Sequence, residues 1–194
     1  IILCNESEAI LSTVTECLCS EDYGHMIPLL EQLTQHTCAT PHCLALMVTH
    51  FGLGLTYYKM ADHHQATKHF TEYKILAHTL ARPADISLAH IYLGDISTIK
   101  SDHNSAAYHY LQAIQHYGTQ NLSTLCTLFK LAMPSVSALY AKQGTALKQT
   151  SQMLKAVEAF RNAIRHAPDS KSKLSVHNSL GNLLQSMGDY TGAL

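Results

Sequence analysis

The sequence predicts an all-α protein, an α–α superhelix (solenoid) of stacked antiparallel helix pairs. Three observations carry that prediction: a glycine–alanine pattern that returns four times, an aromatic at a fixed place behind it, and Asp or Pro at the breaks between helical stretches. Gly54, Gly94, Gly144 and Gly181 each precede an alanine by 12 residues: Ala66, Ala106, Ala156 and Ala193. Phe70, Tyr110 and Phe160 stand four residues after three of those alanines. Repetition on this scale marks an array in which each unit covers the apolar face its neighbour leaves open. Small residues at two facing positions let helix backbones approach, and large ones fill the space around them.

The elements follow in order along a single array over residues 5–194. Residues 5–39 read as a degenerate first repeat. Asn5 with Glu8 forms a capping box ahead of SEAILSTVTECLC, Tyr23-Gly24 reads as a turn, and MIPLLEQLTQH reads as a second helix. Leu30 and Leu33 there take the places of the aromatic and a later alanine. Thr40-Pro41 is a cap and first-turn pair for the helix that follows. The clear repeats are 47–80, 87–120 and 137–170, and 174–194 is a truncated one. Pro83 opens the second, and Pro168-Asp169 separates the third from the fourth. Asp62, Asp102 and Asp189 share one place in the turn between the two helices of a repeat. The four glycines are 40, 50 and 37 residues apart. The longest step holds NLSTLCTLFKLAMPSV, residues 121–136, with apolar residues at 122, 125, 128, 129 and 132. That spacing predicts a short extra helix or an elongated helix start, ended near Met133-Pro134.

Composition excludes several function classes. The 194 residues are 46% apolar and 14% charged, with net charge −1 and 13 Lys and Arg scattered without runs. A basic stripe for nucleic acid and a polybasic patch for membranes are both missing. No apolar stretch approaches the roughly 18 residues of a membrane span. The opening IILCNESEAI has no basic region of the kind that starts a signal peptide. It also has no initiator Met, and the chain stops in mid-pattern, so it reads as a fragment of a longer protein. Cysteines 4, 17, 19, 38, 43 and 126 do not recur with the repeat and read as reduced thiols, which places the protein in the cytoplasm.

Fourteen histidines invite a metal hypothesis, and register absorbs most of them. His50, His90 and His177 share one place in three repeats, with Tyr140 there in the remaining one; His63 and His103 share another. His69 and His109 share a third, and His116 and His166 a fourth. Only HTCATPHC, with His36, Cys38, His42 and Cys43, has ligand-like density. A helix starting at Pro41 would splay the last two away from His36, so no metal is expected there. No nucleophile elbow, phosphate loop, dinucleotide fingerprint or zinc-protease motif appears. The expectation is a non-enzyme with no catalytic residues and no cofactor.

Leu53-Gly54-x-x-Tyr57 with Ala66-x3-Phe70, repeated at Leu93-Gly94, Gly144 and Leu180-Gly181, resembles the tetratricopeptide repeat (TPR), W-x2-L-G-x2-Y…A-x3-F…P. The lengthened repeats resemble the branch of about 40 residues per repeat. That branch includes kinesin light chains and the scaffolds that modulate heterotrimeric G proteins in spindle orientation. Three features depart from the pattern. The Trp is absent throughout, Gln143 stands where Leu precedes the glycine, and the Lys and Asn set that clamps a C-terminal carboxylate in chaperone-binding members is incomplete.

The resemblance implies a right-handed superhelix whose concave face, lined by the first (A) helix of each repeat, holds a peptide. It nominates Val48, Phe51, Leu55, Tyr58 and Lys59, then Leu88, Ile91, Asp95 and Thr98. Ala141, Thr145 and Lys148 follow in the third repeat, and Asn178, Asn182 and Gln185 in the fourth. The face grades from apolar to amide-rich. For Phe51 and Leu55 the competing reading is burial against the first repeat. The implied function is a scaffold that binds a peptide segment of a partner protein, with no nucleic acid and no membrane insertion. The alternative is the repeat arm of a longer protein whose activity, enzymatic or nucleotide-binding, resides in another domain.

Overall fold

The structure is a computed structural model that describes residues 10, 12–14, 16–17, 20, 22–38, 43–117 and 123–188. Among them no strand occurs, residues 10, 12–14, 16 and 17 are helical, and nine helices with defined bounds follow one another after these. They are α1 (Tyr23–Cys38), α2 (Cys43–Lys59), α3 (His63–Thr79), α4 (Pro83–Ile99), α5 (His103–Gln115), α6 (Thr124–Leu128), α7 (Val136–Gln149), α8 (Met153–Arg165) and α9 (Ser170–Ser186). Helices α2, α4, α7 and α9 are the A helices, and α3, α5 and α8 their B partners. Asn5, Glu8, Thr40, Pro41, Asp189 and Ala193 lie outside the described residues.

Tyr23-Gly24 differs from its expected turn. It forms the first turn of α1, where the His25 amide donates to Asp22. The extra length of the 40-residue step lies inside the helices, since α2, α3 and α4 have 17 residues each against 13 in α5 and α8. That is about one added turn. The expected helix in the insertion is one turn only, Thr124–Leu128, and the chain then runs irregularly to the Ser135 cap of α7.

The chain forms two compact units, Ile1–Ala89 with Gly118–Ala132, and His90–Tyr117 with Met133–Leu194. In the first, α2 packs on both α1 and α3. Tyr58 faces His63, Gly54 faces Phe70 and Phe51 faces Tyr73, so the α2–α3 pair is antiparallel. In the second, α7 packs on α5 and α8, and α9 packs on α8. Leu139, Phe160, Ala163, Leu180 and Leu183 are central to its core.

The glycine–ring contact repeats in three pairs. A β-carbon built on Gly54 would stand 2.9 Å from the Phe70 ring, on Gly94 2.8 Å from Tyr110, and on Gly144 3.0 Å from Phe160. Ala66, Ala106 and Ala156 are fully buried one turn earlier on the same helices. The turns repeat as well. Ala61, Ser101, Ser151 and Gly188 each follow their glycine by seven residues, and all have positive φ, between 59° and 80°. Each of the first three turns closes with paired bonds onto the preceding helix, such as Asp62 N–H to Tyr57 C=O at 2.9 Å and Ala61 N–H to Tyr58 C=O at 3.2 Å. This is the left-handed helix ending that glycine favours, adopted here by Ala and Ser. Asp62 and Asp102 then cap the next helix by accepting from Gln65 and Ser105 amides.

Gly94→Ala should cost about 1–3 kcal/mol, because the new methyl must displace a buried ring. Urea denaturation checks this, and an unchanged midpoint would refute the close contact.

Candidate functional site

The A-helix residues nominated from sequence divide sharply by exposure. Val48, Phe51, Leu55, Leu88 and Ile91 are buried in the core and offer no open surface. Tyr58, Ala141 and Lys148 are half-buried, while Lys59, Thr98, Thr145, Asn178, Asn182 and Gln185 are exposed. Asp95 is engaged. It accepts from the Tyr110 hydroxyl at 2.7 Å and pairs with Lys142 at 2.6 Å. The Lys142 ammonium also sits 5.6 Å from the Tyr110 ring centroid.

At Phe51 the insertion contributes to the burial. Its Phe129 meets Phe51 edge-on at 5.2 Å between centroids, and Phe51 also contacts Phe70 and Tyr73. A β-carbon on Gly52 would lie 3.2 Å from Phe129 and 2.8 Å from Leu30 of α1. Phe51 is thus packed by α3 and by the insertion, while α1 reaches the neighbouring Gly52. The insertion is also held by a polar anchor. Asp85, buried at the start of α4, accepts from the Tyr73 hydroxyl at 2.8 Å, from the Ser123 hydroxyl and from Arg82 Nε. Three donors on one carboxylate satisfy a charge that burial would otherwise penalise. Burial first, and then Asp85, pushes the Tyr73 hydroxyl well above its ordinary range. The same two causes raise the Cys126 thiol next to it.

Register alone suggested that the histidines shared places; the structure brings them together as pairs. The Nδ1 atoms of His50 and His69 are 3.2 Å apart, and those of His90 and His109 are 2.9 Å apart. Each contact needs one ring to donate and the other to accept. Burial lowers the His50 pKa, with Glu72 opposing and Lys68 adding to the shift. Burial, then His50, then Lys68, lower His69 to about 4. The Tyr57 ring stacks on His69 at 5.6 Å. No group of three or more metal-binding side chains occurs among the described residues. The His36, Cys38, His42 and Cys43 side chains lie outside them.

Two features were not read from the sequence. The Asp85–Ser123 contact joins residues 38 apart, and no local pattern announces it. The other is a cleft of about 470 Å³ in the second unit, lined by residues of α5, α7 and α8. Gln143 lines it. The missing leucine before Gly144 was the signal for it.

No protein-family model matches the sequence, and no curated protein matches it closely enough to count as a relative. Solved structures do match. MamA 41-end from Desulfovibrio magneticus RS-1 is 16% identical, with 99% of this chain and 91% of that one covered at a TM-score of 0.70. A Podosopora anserina putative kinesin light chain with nearly identical TPR-like repeats is 14% identical, over 98% and 92%, at 0.72. BtubC (BKLC) from P. vanneervenii is 13% identical, over 94% and 74%, at 0.73. The chain has the fold of these TPR-like repeat proteins. At such identities the likeness is one of fold. No helix among the described residues is long and apolar enough to cross a membrane.

Two outcomes follow from these contacts. Phe129→Ala should destabilise the first unit by about 3–5 kcal/mol, the range for a buried Phe. Hydrogen exchange of α2 amides measures it, and unchanged protection would mean that Phe129 is not part of that core. The histidines predict a pH dependence. Unfolded His69 titrates near 6.5 and folded His69 near 4, so between those values the unfolded chain binds more protons. The stability from the neutral pair is complete above about pH 6.5 and is lost as pH falls toward 4. The urea midpoint should drop across that window, and less steeply in His69→Asn.

Proposed function

We propose that this chain is a non-enzymatic interaction scaffold that holds a peptide segment of a partner protein on exposed A-helix side chains of its second unit. One contrast carries the reading. The positions that build the fold repeat from pair to pair, as the buried glycines and their rings do. The exposed A-helix positions differ from pair to pair: Thr98, then Thr145, then Asn178, Asn182 and Gln185. Side chains that vary at a repeated, solvent-facing place are free to follow a ligand. Stacked helix pairs supply extended surfaces of this kind. Asn carboxamides complement a peptide group with one donor and one acceptor each. Phe51 and Ile91, nominated for the apolar end of the face, are core residues, so substitution there would report on stability and not on binding.

Affinity capture with the chain as bait, followed by titration of each captured partner, tests the proposal. Asn178→Ala with Asn182→Ala should weaken capture about tenfold while leaving helicity intact. A folded double variant that binds every partner with unchanged affinity would show that this face is not the peptide site.

A further inference from the structure

We propose that the second unit carries another binding site, a cleft between α5 and α8 floored by α7, in which Gln143 takes the backbone of an extended peptide. The first observation is an exchange of residue type at a repeated place. The residue before the glycine is Leu53, Leu93 or Leu180 in the other repeats, and these are 5%, 4% and 8% exposed. In the third repeat it is Gln143, at 9% exposure nearly as buried as the leucines. Its side chain makes no hydrogen bond to a described residue. Neither of its amide atoms is fully cut off from water, so their hydrogen-bonding capacity stays open to a ligand, where leucine would offer none.

The second observation is where Gln143 points. It lines the cleft of about 470 Å³, a volume typical of a ligand site. The cleft brings further amides to the same place, Asn104 from α5 with Gln152 and Asn162 from the α8 segment. Tyr108 and Leu111, 56% and 39% exposed, flank them from α5 with apolar surface. Lys155 and Glu158 contribute opposite charges, so nothing there selects an anion or a cation. A carboxamide offers one acceptor oxygen and an NH2 donor, which a peptide group matches with its own N–H and C=O. A short, uncharged stretch of extended polypeptide is therefore the chemistry that fits.

This site is separate from the A-helix surface. At about 100° per residue, Tyr140, Gln143 and Leu147 share one side of α7, and Ala141, Thr145 and Lys148 the other.

A pool of randomised pentapeptides, capped at both ends to remove terminal charge, serves as the probe. Peptides selected on the chain are titrated against 15N-labelled protein. Binding should move the Gln143 side-chain amide resonance. Gln143→Leu should weaken the selected peptide tenfold or more while the urea midpoint holds or rises. Tyr108→Ala, at the exposed rim, should weaken it too. Asn178→Ala with Asn182→Ala should leave this binding unchanged, which separates the cleft from the A-helix surface. Three results would overturn the proposal: no peptide in the pool moves the Gln143 amide, Gln143→Leu binds as the unaltered chain does, or Gln143→Leu lowers the urea midpoint because the amide has a structural partner.

Discussion

A ring laid across a glycine is the contact on which each helix pair depends. With hydrogen in place of a side chain at Gly54, Gly94 and Gly144, the facing Phe70, Tyr110 and Phe160 reach the helix backbone itself. The two axes then come close enough for fully buried alanines to fill the adjoining position. Dispersion acts only at contact distance, so a small retreat of one helix would forfeit attraction along the whole pair. The tolerance is narrow in the other direction too, because a single methyl would meet ring atoms at 2.8–3.0 Å. The strained turns follow from the same contact. Ala61, Ser101 and Ser151 hold left-handed backbone that costs a non-glycine residue about 1–2 kcal/mol. The turn must reverse the chain within a few residues for the ring to meet its glycine.

The first unit adds a different device. Its A-helix face is covered from within the chain, by a segment that carries Phe129 for the apolar part and Ser123 for the polar part. Asp85 is the meeting point. A buried carboxylate would be costly alone, and here Tyr73, Arg82 and Ser123 each donate to it. Removing any one donor leaves the charge less satisfied without making the site apolar, which is the expensive direction. The segment is thus tied to the unit by a contact that tolerates little substitution.

Histidine stands here as a flat side chain in place of the tryptophan of the repeat pattern, half-buried at His50 and buried at His90. The exchange has a chemical consequence that tryptophan would not bring. Between two neutral imidazoles with facing Nδ1 atoms 2.9–3.2 Å apart, one ring donates and the other accepts, and a second proton there would set two N–H donors face to face. Packing and protonation state are therefore coupled at the same place in successive repeats.

The sequence by itself determined the helical class, the antiparallel pairing and the identity of the packing residues. These depend on local spacing, and Gly, Ala and the aromatic recur at fixed distances that reflect one geometric requirement. Gln143 was visible as a departure from that spacing, but its burial and the cleft it lines were not. Only the tertiary structure decided which A-helix residues meet solvent. Phe51 and Leu55 carry the same repeat positions as exposed residues elsewhere, and the burial of Phe51 involves Phe129, more than 70 positions away. Contacts of that range leave no periodic mark on either partner. Side chains such as Asp85 and Ser123 acquire their meaning only when the fold brings them within hydrogen-bonding distance.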